Sequence, residues 1–262
     1  MLCCCAAQLS KAQGDSLFAF IKTIRGNFTD FTVDNLENIY VLTPTNQLKK
    51  MNSRGDSLAV FNDVKRFGTV TQVDATNPLK ILLYYKNFSS IVVLDRFLNI
   101  RNTINLRKKN LFAVNAISTS YDNNIWLYDE QEYKLKKIDD DGTVLLESND
   151  MRMLLDSVPS ATQLTDRNNF VYIYDSSRGF YIFDYYGTYK NRLPFLYWNN
   201  TAVSEKTIYG FSNGKLLSYQ PLSFSLKEYV LPDFISHYTT IKAMNNKLYL
   251  LNDTGISIWQ LK

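Results

Sequence analysis

The chain is organised by short apolar runs set between polar turns. Six runs stand out, beginning at Ile39, Ile81, Ile125, Val171, Ile208 and Leu248. Their first residues lie 42, 44, 46, 37 and 40 positions apart. Each is short and rich in β-branched and aromatic side chains, which suits a strand better than a helix. A polar turn precedes each run, at residues 34–38, 74–78, 122–124, 166–169, 204–207 and 245–247. Most of these turns carry Asp or Asn, which bond their own backbone and tolerate left-handed dihedrals.

Around each run the pattern extends to a unit. A second strand follows, at residues 48–51, 91–94, 133–138, 180–183, 215–219 and 256–259. A turn and a further strand come next, as at 143–147 and 226–230, and each unit opens with a strand, as at 31–33 and 116–118. Four short antiparallel strands in about 40 residues describe a propeller blade. A sandwich or barrel of evenly spaced strands is the competing arrangement, but it gives no reason for six matched hairpins. The sequence therefore predicts an all-β, six-bladed β-propeller. The strongest helical signal is the stretch 150–156, between the third and fourth units.

The sixth unit ends after three strands, while a spare strand stands before the first unit at residues 17–25. An unpaired sheet edge exposes backbone donors and acceptors. The N-terminal strand is therefore expected to complete the last blade. The likeness of Ile21-Lys22-Thr23-Ile24 to Lys227-Glu228-Tyr229-Val230 sets the expected register.

Residues 33–41, followed by 47–51 and Gly55, resemble the NHL-type repeat: valine-aspartate, a turn, an asparagine-isoleucine-tyrosine-valine strand, a second strand and a glycine turn. The stretch 165–173 with Gly187, and 121–127 with Gly142, repeat it. The other three units lack the glycine or the turn aspartate. This resemblance also implies a six-bladed propeller. Some NHL-type propellers are zinc lyases using several histidines, and this chain has one, His237.

Composition adds a compartment. All three cysteines, Cys3, Cys4 and Cys5, lie in an apolar start followed by Ser10-Lys11-Ala12, a small-x-small cleavage pattern. Residues 1–12 are read as a signal peptide whose true start is expected upstream, and 13–262 as one propeller domain. Lipidation at a cysteine is the competing reading. Cleavage removes every cysteine, and with them disulfides, thiolate catalysis and cysteine metal sites. The Tyr-, Asn- and Lys-rich composition and the Gln13 left by cleavage resemble cell-envelope proteins of Bacteroidetes-type bacteria. The expected location is the periplasm or the outer membrane of a Gram-negative cell. A net charge of +4 spread over the chain is no nucleic-acid footprint.

The chemistry expected is sparse. One histidine leaves triads and two-histidine zinc sites without parts, and no phosphate-loop or nucleophile-elbow pattern occurs. No cofactor, catalytic residue or metal ligand is assigned. Asp139-Asp140-Asp141-Gly142 reads as a polar turn. Asp34, Asp74, Asp122 and Asp166 recur with the repeat and read as structural, and no carboxylate is placed on an innermost strand.

In a propeller the blade-to-blade connections share one face, the usual binding face. Here they offer Lys65, Arg66, Arg107, Lys108, Arg152, Tyr197, Trp198 and His237. This rim of basic and aromatic side chains suits a partner with an acidic patch or an anionic or glycan ligand. Two functions follow. The first is a non-enzymatic, monomeric scaffold of the cell envelope that binds a partner protein. The alternative is an enzyme, or a glycan or small-ligand binder, using the central channel. A scaffold predicts a channel of small and apolar residues; the alternative predicts acidic or amide side chains converging at its mouth.

Overall fold

The computed structural model describes residues 18–204, 206–232 and 238–261. Six four-stranded antiparallel sheets are arranged in a ring. The innermost strands are β2 (Asp30–Val33), β6 (Gln72–Asn77), β10 (Val114–Thr119), β14 (Gln163–Arg167), β18 (Asn199–Val203) and β22 (Thr240–Met244). Each neighbours the next, and β22 neighbours β2, so the ring is closed around a channel.

The apolar runs of the sequence are the second strands. Ile39–Leu42, Lys80–Tyr85 and Ile125–Asp129 are buried along their whole length. A blade is sandwiched between two others, so its middle strands meet side chains on both faces and read as continuous apolar stretches. Outer strands such as Val144–Glu147 are largely exposed, which is why their pattern in the sequence is faint. The helical stretch after the third blade forms one turn of 3₁₀-helix, Met151–Met153.

The last blade is β22, β23 (Lys247–Asn252), β24 (Gly255–Leu261) and the N-terminal strand β1 (Phe18–Arg25). Phe18 faces Leu261 and Arg25 faces Gly255. Phe18 and Ile24 are buried in separate apolar clusters on the two sides of the blade. Gly255 admits the strand: a Cβ there would lie 2.1 Å from the Ile24 carbonyl oxygen.

The register differs from the expected one by a residue. Ile24 faces Ile256, as Tyr229 faces Leu216 in the preceding blade, so Ile24 corresponds to Tyr229 and not to Val230. A bulge between Phe20 and Lys22 absorbs the extra residue. Burial decides the matter, because sliding the strand by one position would turn Ile24 out to solvent.

Candidate functional site

The two faces of the ring are built differently. The first-to-second and third-to-fourth strand turns lie together on one face, and the blade connections on the other. A cavity of about 300 Å³ opens on the face of the turns. It is lined by residues of four consecutive blades, among them Asn35, Asn77, Asn123, Asp166, Arg167 and Asn168. Blades one and four stand opposite each other in a ring of six. A cavity lined by both therefore crosses the mouth of the channel.

Turn chemistry sets this lining. The β14 hairpin turns through Asn168 and Asn169, both with positive φ (57° and 67°), between the paired residues Arg167 and Phe170. That is the geometry of a two-residue primed turn, which asparagine tolerates. The stretch 166–169 is thus not all turn: Asp166 and Arg167 belong to β14. Asp74 likewise lies on β6. The expectation of no carboxylate on an innermost strand is overturned here and at Asp30 of β2, because the tight turns consume only two residues, Asn168 and Asn169 after β14 and Pro78 and Leu79 after β6, and leave the preceding residues in the strand.

Asp166 is buried and serves the neighbouring blade. Its carboxyl accepts from Tyr185 Oη (2.9 Å), Trp126 Nε1 (2.9 Å) and the Tyr121 N–H (3.2 Å). Blade one satisfies its equivalent turn internally, with Asp34 accepting from Leu36 and Asn38 N–H and from Tyr40 Oη. Blade three carries Ser120 at that place, so the carboxylate comes from blade four instead. Burial raises the Asp166 pKa, and the bonds from Tyr185, Tyr121 and Trp126 offset this only in part. The group therefore favours folding most when protonated, and that contribution fades as pH rises through its raised native pKa. In urea titrations, the stability deficit of Asp166→Asn against the native chain is expected to shrink from pH 4 to pH 7. A deficit that grows with pH would refute this assignment.

Three side-chain atoms at this mouth are buried without a hydrogen-bond partner: Thr119 Oγ1, Ser120 Oγ and Arg167 Nε. Ser120 Oγ lies near the Asp122 and Asp166 carboxyls, but not in good hydrogen-bond geometry. Buried polar atoms in native proteins are nearly always paired. All three belong to residues that line the one cavity. Tyr121 stacks on Tyr185 at the edge, with ring centroids 4.0 Å apart, and Lys137 Nζ stands 5.5 Å from the Tyr121 centroid.

The predicted rim lies on the opposite face. Lys65, Arg66, Arg107, Lys108 and Arg152 are exposed there. Arg152 is held by Asp150, Arg66 lies over the Phe67 ring, and Arg107 Nε donates to Ser89 Oγ. Tyr197 is exposed, but Trp198 is only 5% exposed and stacks on Phe195 at 4.4 Å. Trp198 fills space between blades; Gly210 leaves room for its ring, which a Cβ would approach to 2.3 Å. His237 falls outside the described residues.

Known structures share the fold. A streptogramin B lyase aligns with TM-score 0.63 and 14% identity, over 94% of this chain and 88% of that one. The β-propeller domain of Cps50 (Swd1) from Myceliophteria thermophila aligns with TM-score 0.64 and 10% identity, over 94% of this chain and all of that one. BamB from Moraxella catarrhalis aligns with TM-score 0.50 and 14% identity, over 92% of this chain and 72% of that one. No family model and no curated protein matches the chain. At these identities the likeness is one of fold. Among the described residues, no three Asp, Glu, His or Cys side chains are grouped to hold a metal.

Proposed function

We propose that this protein is an exported propeller that binds a small polar ligand at the mouth of its channel, on the face of the first-to-second strand turns. One observation carries the reading: four asparagines and Asp166 line a single cavity that crosses the mouth and holds three unpartnered buried polar atoms. The binding alternative predicts such convergence at the channel mouth; a scaffold with a small and apolar channel does not.

The test is retention of ligand from the cell envelope. Purified protein is incubated with osmotic-shock and cytosolic extracts of the source cells, desalted, denatured and examined by mass spectrometry. A small molecule retained from the shock extract, and lost in Asn35→Trp, is the expected result. Asn35 is exposed at the cavity edge, so the indole blocks the mouth without disturbing the core. Equal retention by the variant, or none by either, would sink the proposal.

The scaffold reading keeps one specific support. Leu222 and Phe224 are 92% and 81% exposed in the turn that opens the outer strand of blade five. An apolar group of this kind suits a protein partner.

A further inference from the structure

We infer that the cavity takes a hydroxylated organic anion, with Arg167 holding its charged end. This rests on the reading that the cavity binds a small molecule. Arg167 ends β14 and lines the cavity, with its Nε buried and unpartnered. Among the described residues its guanidinium joins no ion pair. Three lysines on this face are matched: Lys80 with Asp140, Lys137 with Asp122 and Lys247 with Glu37. Among the described residues, then, no carboxylate pairs with Arg167 in its recess.

The acids nearby do not cancel it. The Asp166 carboxyl is turned to Tyr185, Trp126 and the Tyr121 N–H, and burial weakens its ionisation. Asp74 accepts from the Thr76 and Thr119 N–H groups. Both acids are engaged by protein donors, and Arg167 has no acceptor among the described residues. A guanidinium keeps its charge at any physiological pH and grips carboxylate or phosphate through two parallel bonds.

The rest of the lining sets the remainder of the ligand. The Asn35 side chain donates and accepts, as hydroxyl groups require; Asn77 donates one N–H to Asn123 and accepts from the Leu79 N–H, which leaves it a second N–H, and Thr119 Oγ1 lines the same cavity without a partner among the described residues. A cavity of about 300 Å³ stands at the small end of ligand pockets. It is larger than a bare inorganic anion and of a size for one substituted six-membered ring. A sugar acid or a sugar phosphate has this chemistry.

Calorimetric titration of the full chain at low salt tests the assignment, with glucuronate, glucose 6-phosphate, glucose and inorganic phosphate as probes. At least one anionic sugar is expected to bind tenfold or more tightly than glucose. Arg167→Met should erase that preference, and Arg167→Lys should keep part of it. Glucuronate and glucose 6-phosphate share a ring, so their order tells a carboxylate ligand from a phosphate. Ligand-free Arg167→Met is expected to melt no lower than the native chain, because it removes an unpartnered buried donor; if it melts lower, Arg167→Lys carries the comparison. Equal binding of glucose and both anionic sugars, or a preference that survives in Arg167→Met, overturns the anion assignment and leaves the cavity a neutral-ligand site. Inorganic phosphate binding as tightly as either sugar overturns the organic part. Silence from every probe overturns the inference, while ligand retention blocked by Asn35→Trp still decides the cavity itself.

Discussion

Removing residues 1–25 is expected to leave a chain that no longer unfolds in one cooperative step under native conditions. The deletion strips β1 from the last blade. It removes the buried side chains Phe18 and Ile24 and uncovers the edge of β24. Truncating one buried Phe and one buried Ile costs about 5–10 kcal/mol together, against a total stability of about 5–15 kcal/mol for a domain. The exposed edge adds a template for aggregation. Register supplies the rescue. Phe18 stands directly opposite Leu261, so a permuted chain can begin at Gly26, run to Leu261, turn through Asn-Gly and finish with Phe18–Arg25. A two-residue primed turn joins facing strand residues in this way. The permutant is expected to recover the native unfolding free energy, measured in urea, to within about 1 kcal/mol, the size of one hairpin-turn or loop adjustment. If the truncated chain keeps a native-like cooperative transition, ring closure by β1 is not what holds this fold.

The second large effect is expected at Lys136. Its ammonium lies 2.9 Å from Asp129 Oδ2 and 2.9 Å from Glu132 Oε2, and the Lys136 and Asp129 side chains are only 5% and 1% exposed. Burial pulls the Lys136 pKa down, but the bonds to Asp129 and Glu132 outweigh it and leave the value raised. Lys136→Met would strand the Asp129 carboxylate in the interior. Breaking a buried pair from one side costs about 3–5 kcal/mol, which a shift of the urea midpoint at unchanged m-value would show. Adding Asp129→Leu should recover most of the loss, since an apolar pair of similar volume is close to neutral. A single variant within about 0.5 kcal/mol of the native chain, the scatter of ordinary surface substitutions, would mean that Lys136 is not paired in solution.

These two predictions differ in how far the sequence foretold them. The closing strand was legible because an incomplete sixth unit and a spare first strand were both visible, and β sheets do not tolerate an open edge. The Lys136 cluster was not. A lysine in the alternating stretch 133–138 reads as solvent-facing, and only the neighbouring hairpin and blade bury it. The candidate site falls between these cases. The asparagines of the turns were seen, but as punctuation. Asp166 and Arg167 were read into a turn because nothing local shows that Asn168 and Asn169 complete it alone. Trp198 was read onto the rim, where its size and polar edge are equally at home, and the structure buries it against Phe195 and Gly210.

What the sequence determined by itself was the count and the order. Six apolar runs at nearly even spacing specify six blades, since each run is a strand buried on both faces and can be nothing else in a chain so poor in helical signal. The N-terminal strand had to close the ring for the same reason. What only the tertiary structure decided was which side chains meet across blades. Asp166 answers the turn of blade three, Asn35 and Arg167 face one cavity from opposite blades, and Ile24 slips one residue to stay buried. Contacts between residues about 45 or more positions apart depend on ring closure and strand register, and neither is written in any local stretch of the chain.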